Sequence, residues 1–191
     1  TGVRVTRVYA GSTAAKAGLK VGDLIIKLDG EDIPAEQVED DEVLPSMIRQ
    51  YDVGATAKLK VVRDGAPMDI SVKLEASPKP SRDYPRYEDT NFEFTARDIT
   101  FSDRASGAVG AKQSGVYVES VSEGSWAALA ELKAGDVISS VDGTAITNLA
   151  SLKAAMTAVA KAKPKTIVLK VYSGVHTQFL EMQPSWPDAA L

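Results

Sequence analysis

Side chains able to make or break bonds are scarce in this chain of 191 residues. It holds one histidine, His176, and no cysteine. Thiolate chemistry, disulfides and cysteine zinc sites are therefore excluded, and a single histidine argues against zinc generally. A serine hydrolase needs a nucleophile, a base and an orienting acid gathered together. His176 lies beside the turn Ser173-Gly174, no Gly-x-Ser-x-Gly or Gly-Asp-Ser-Gly occurs, and no Ser–Lys pair stands out. His176 reads as a surface strand residue, and the chain reads as a non-enzyme without catalytic residues. Glu36, Glu39, Asp40, Asp41 and Glu42 crowd one segment but lack the alternating oxygens and the glycine of a calcium loop. They read as a solvated acidic loop, with no metal or cofactor expected. Gly107-Ala-Val-Gly110-Ala-Lys112 lacks the phosphate-loop spacing and the following Ser/Thr. The whole stretch Ser102–Ser114 reads as a flexible loop.

What remains is a surface that binds, and the elements positioning it come from a duplication. Residues 2–33 slid forward by 113 places give 17 identities in 32 positions without a gap, so the fold is two copies of one unit. Val3, Val5 and Val8 (Val116, Val118 and Val121 in the second copy) read as a strand. Gly11-Ser12 and Gly124-Ser125 turn the chain, the serines placed to cap a short helix. Gly18 suits a left-handed helix end; Glu131 replaces it in the second copy, where a looser end is expected. Leu19 and Leu132 plug the core. Gly22-Asp23 and Gly135-Asp136 lead into strands Leu24–Leu28 and Val137–Val141, and Asp29-Gly30 and Asp142-Gly143 suit positive-φ hairpin turns. The first copy continues with a helix over Ser46–Tyr51 after Pro45 and strands Ala57–Arg63 and Met68–Leu74. The second has a helix from Leu149 to about Ala162, capped by Thr147 or Asn148, then strands Thr166–Tyr172 and Val175–Met182. Leu149, Leu152, Met156 and Val159 recur at helical spacing and form one apolar stripe.

The duplicated pattern, G-V-x-V-x-x-V-x-x-G-S-x-A-x-x-A-G-L-x-x-G-D-x-I-x-x-x-D-G, resembles the PDZ domains of bacterial HtrA-like, trypsin-like serine proteases. The resemblance implies an α+β fold of two PDZ-like domains. Each would be a small, partly open β-barrel or sandwich of five to six strands with two helices. Domain 1 is expected over residues 1–76 and domain 2 over 91–187. Residues 77–90, with three prolines in eight residues, read as a stiff linker or, more sharply, a Pro-rich recognition motif. In a PDZ domain the segment around Phe92-Glu93-Phe94 corresponds to the carboxylate-binding loop and binding strand, opposite the Leu149–Ala162 helix. The implied peptide-binding residues are Phe92, Glu93, Phe94, Thr95, Ala96, Leu152, Ala155, Met156 and Val159. The family has glycine between the two hydrophobic residues, and Glu93 departs from it. The alternative for Phe92 and Phe94 is plain core packing. The matching strand of domain 1 would lie before Thr1, so an incomplete first groove is expected unless another segment supplies it.

Composition agrees with globular domains: 44% hydrophobic and 25% charged residues. A net charge of −4 gives no drive toward nucleic acid, and no apolar run approaches a membrane span. The expected function is binding of extended or C-terminal peptides of unfolded or partner proteins by strand addition. The chain would be the substrate-recognition or regulatory part of an envelope HtrA-like protease in the bacterial periplasm or cell envelope, any oligomer forming through the parent protein. The alternatives are a non-catalytic scaffold and, more weakly, a part of another class of protease.

Overall fold

The computed structural model describes residues 1–187, and the chain divides between Ser77 and Pro78 into two compact units. In the first unit, strands β1 (Val3–Arg4), β2 (Leu24–Leu28), β3 (Glu31–Asp32), β4 (Thr56–Arg63) and β5 (Ala66–Lys73) form an antiparallel sheet. Its order is β1-β2-β4-β5, with β3 hairpinned onto β2. Period-two alternation selects the core face: Ala57, Leu59 and Val61 of β4 and Ile70 and Val72 of β5 are buried, while Lys58 and Lys60 point outward.

Helix α1 (Thr13–Ala17) is too short to stand on propensity, and its ends explain it. The Ser12 side chain accepts the Ala15 N–H, and Gly18 turns left-handed at φ 87°. The Gly18 and Leu19 N–H groups then close onto the Ala15 and Ala14 carbonyls, which delivers Leu19 into the core. Helix α2 (Val43–Ile48) begins before the expected Ser46, because Pro45 sits in the first turn, where a missing N–H leaves no bond unmade. The acidic run is not an open loop: residues 38–42 make a 3₁₀ turn. There the Asp40 carboxylate accepts the Gln37 and Glu36 N–H groups, which hold it below its ordinary pKa. No cluster of three or more metal-ligating side chains occurs among the described residues.

The second unit carries β6 (Arg86–Asp89), β7 (Phe94–Asp98), β8 (Val116–Val121), β9 (Val137–Val141), β10 (Thr144–Ala145), β11 (Ile167–Ser173) and β12 (His176–Met182). Its sheet runs β12-β11-β9-β8-β7-β6, with β10 on β9, so it has seven strands where five to six were expected. The extra strand is β6, which lies within residues 77–90, read from the sequence as linker. Four residues following Pro85 give too short an alternation to announce a strand. A further helix, α3 (Phe101–Ala105), occupies the stretch read as flexible loop, started by reciprocal capping between Thr100 and Asp103. The rest of that loop is pinned: Val109 is buried, and the Arg104 guanidinium donates to the Gly110, Ala111 and Gln113 carbonyls.

Helix α4 (Trp126–Leu129) repeats α1, with Ser125 accepting the Ala128 N–H. The end at Glu131 is no looser than at Gly18. Glu131 adopts φ 68°, and the Glu131 and Leu132 N–H groups make the same two closing bonds. Helix α5 (Leu149–Ala162) keeps its expected limits, capped by Asn148, and buries Leu152, Met156 and Val159. His176 opens β12 as an exposed residue opposite Ser173.

Candidate functional site

The second unit brings the expected binding strand and helix together. β7 pairs antiparallel with β8, and α5 packs on the same side of the sheet against β6, β7 and β9. The Asp98 carboxylate at the end of β7 accepts the Leu149 N–H, which fixes the start of α5 against the strand. The edge of β7 expected to receive a ligand is, however, already paired. β6 lies along it antiparallel, with Arg86 opposite Arg97, Tyr87 opposite Ala96, Glu88 opposite Thr95 and Asp89 opposite Phe94.

Both ends of β6 are fastened. Arg86 donates two hydrogen bonds to Glu119 of β8 (2.8 and 2.9 Å) and others to the carbonyls of Ser81, Arg82 and Tyr84. Glu119 also accepts from Arg97, and Arg97 forks onto Asp103 of α3 at 2.7 and 3.0 Å while stacking over the Tyr117 ring. The Arg86 guanidinium, with Arg97 assisting against burial, holds the Glu119 carboxyl below its ordinary pKa. Burial pushes Asp103 upward, but the bonds from Arg97 and Thr100 more than offset it and leave the pKa lowered.

At the other end, the loop joining β6 to β7 does what the family's glycine loop is expected to do, with a different occupant. Glu93 adopts φ 58° and carries its side chain into solvent, so a left-handed residue stands there without being glycine. The N–H groups converge, but on Asp89: its Oδ1 accepts from Asn91 (3.0 Å) and Phe92 (2.9 Å), and its carbonyl accepts from Glu93 (2.8 Å). Oδ2 of Asp89 accepts from the Tyr87 hydroxyl at 2.8 Å. Burial, with Asp89 beside it, pushes the Tyr87 phenol far above its ordinary pKa. The Tyr87 ring meets Phe94 edge-on at 6.4 Å.

The nine residues singled out from the sequence thus gather at one strand–helix junction, most of them buried. Phe92, Phe94, Ala96, Leu152, Met156 and Val159 are buried in the core. Thr95 and Ala155 are half-buried, and Glu93 is exposed. Core packing, the plainer alternative for Phe92 and Phe94, is what their side chains do. Tyr87, Arg86, Asp89 and Trp186 went unnoticed. Trp186 packs edge-on against Phe92 and donates to the Pro164 carbonyl. An Asp three residues before Phe92 is a signal of side-chain capping of a turn and could have flagged the loop.

In the first unit, β1 ends its sheet, and no strand pairs with its outer edge among the described residues. Beside it opens a cleft of about 650 Å³, lined by Val3, Val5, Val8, Leu19, Leu59 and Val72 among others. Their equivalents Val116, Val118, Val121 and Leu132 cluster with Phe92, Phe94 and Ala96 in the second unit.

Comparison with known proteins agrees with this architecture. Residues 1–74 and residues 101–172 each match a PDZ domain family model. The chain is 30% identical over 188 residues to the periplasmic serine endoprotease DegP of Escherichia coli K12, covering 95% of this chain and 34% of that protein. It is 29% identical over 182 residues to the periplasmic pH-dependent serine endoprotease DegQ of the same strain, covering 95% of this chain and 36% of that protein. It therefore spans about a third of the length of the curated relatives it matches. Among solved structures, an HtrA3 PDZ domain bound to a phage-derived ligand (FGRWV) aligns with a TM-score of 0.40 at 21% identity, over 53% of this chain and 86% of that one. The chain belongs to the PDZ family: it is a tandem pair of PDZ domains homologous to part of the HtrA-like proteases DegP and DegQ.

Proposed function

We propose that this chain is the substrate-recognition or regulatory part of an envelope HtrA-like serine protease, and that it holds extended polypeptide by strand addition. The observation that carries this reading is β6, an antiparallel strand seated on the outer edge of β7 beneath α5. The groove geometry therefore accepts an extended chain, with backbone hydrogen bonds giving sequence-tolerant affinity. The periplasmic relatives support an envelope location for the parent protein, and the catalytic residues would belong to a part of it outside these two domains. The loop amides serve Asp89, which favours binding of internal segments over reading of a free chain end.

Calorimetric titration with hydrophobic-ended peptides, each as free acid and as C-terminal amide, tests this. It should be run on the chain and on a form with β6 displaced. The expected result is equal binding of acid and amide. Binding of the acid alone would make the second unit a chain-end reader. No binding by either form, with both units folded, would overturn the reading in favour of a non-catalytic scaffold.

A further inference from the structure

We propose that β6 is a resident ligand of the second unit's groove. Peptides that replace it then carry its recognition pattern: an aromatic side chain followed two residues later by a carboxylate. This inference rests on the strand-addition reading above and adds the occupant and the ligand class.

Four observations carry it. β6 is the terminal strand, so its departure would leave the order from β12 to β7 intact. It touches both walls of the groove, β7 and α5. Its side chains alternate as a bound strand requires: Tyr87 turns inward against Phe94, Glu88 points to solvent, and Asp89 turns in and is buried. The Asp89 carboxylate receives the loop amides of Asn91 and Phe92, and the Tyr87 hydroxyl of the same strand donates to its other oxygen, so the aromatic residue orients the acid that the loop receives. A competing peptide that lacked the acid would leave the buried Phe92 N–H without an acceptor, and one that lacked the aromatic residue would leave Phe94 uncovered.

β6 can leave without unthreading. It is joined to the rest of the unit through the turn at residues 90–93, and its other end runs into the segment containing Pro78, Pro80 and Pro85. Because the occupant is covalently attached, an outside peptide sees only the fraction of molecules with β6 released, and its apparent affinity falls by that fraction.

The test uses the full chain and an amidated nonapeptide copying Ser81–Asp89. A double variant, Arg86→Ala with Tyr87→Ser, loosens the occupant without altering β7 or α5. It should bind the peptide at least tenfold more tightly than the wild type. Peptides carrying Tyr87→Ala or Asp89→Asn should each lose at least tenfold. A second variant guards against misfolding: Glu88→Cys with Thr95→Cys places two thiols on directly opposed residues of a chain with no other cysteine. Oxidation should abolish peptide binding and reduction should restore it. Equal binding by wild type and loosened variant, or by oxidised and reduced clamp, would overturn the inference. Binding of apolar peptides by the loosened variant without preference for the Tyr–x–Asp pattern would overturn the ligand class and leave strand addition standing. Failure of every form to bind any extended peptide would instead remove the strand-addition reading itself.

Discussion

The opening segments of the two units share 17 of 32 aligned residues, and among the described residues the units differ at one sheet edge. In the second, β7 lies against β8, and Phe92, Phe94 and Ala96 complete the core. In the first, no strand pairs with the outer edge of β1 among the described residues, and a cleft opens beside Val5, Leu19 and Leu59. The shared turns, caps and strands are thus sufficient to build the scaffold. β8 runs over Val116–Val121 and β1 over Val3–Arg4.

The comparison is sharpest at the charges each unit buries. In the second unit Arg97 ties β7 to Glu119 and Asp103 while being 5% exposed. Removing one partner of a buried pair strands the others, so Arg97→Ala should destabilise the second unit by about 3–5 kcal/mol. Urea unfolding followed by amide signals of each unit would check this. An equal loss in the first unit would show the two to be coupled rather than independent.

The first unit has its own pair, a buried Asp23 and a half-buried Arg63. Arg63 donates to both carboxylate oxygens of Asp23 and lowers its pKa to about 2 from an ordinary 3.8. The equivalent Asp136 has the matching backbone bond from Lys133, but Ser173 stands where the arginine would be. Because the folded state holds Asp23 ionised more firmly than the unfolded state does, the benefit is complete above about pH 4. It is lost as pH falls toward 2 and amounts to about 2 kcal/mol. Acid titration of stability should show this loss in the first unit, and Arg63→Ala should remove it. An unchanged acid limb in that variant would sink the assignment.

The smallest expected effect concerns the helix ends. Glu131 bears the left-handed conformation that Gly18 adopts freely. Glu131→Gly should therefore raise the second unit's stability by up to about 1 kcal/mol, less whatever the unfolded chain gains in freedom. Gly18→Ala should lower the first unit's by a similar amount. Thermal melts resolved by unit would report both, and a stabilising Gly18→Ala would contradict the argument.

Features fixed by a few neighbouring residues were legible in the sequence. The Ser12 and Ser125 caps, the Asp29-Gly30 and Asp142-Gly143 turns and the limits of α5 all depend on local chemistry, and all are present in the structure. Features fixed by distant partners were not. β6 exists because β7 offers an edge and Glu119 a counter-charge. The buried state of Phe92, Phe94 and Met156 depends on the same assembly. A stripe of apolar residues looks alike whether it faces a core or a ligand. Glu93 misled for a different reason: the turn needed a positive φ, and an exposed glutamate supplies it where glycine was expected.

The hairpin geometry of β6 also has a mechanical meaning. Arg86 stands at its open end and Asp89 at its turn. A pull on the chain ahead of Arg86 therefore loads the four pairings one after another, as in a zipper, instead of all at once in shear. The first attachment to bear that load is the fork between Arg86 and Glu119. Tension in the proline-containing segment thus acts directly on the latch of the groove.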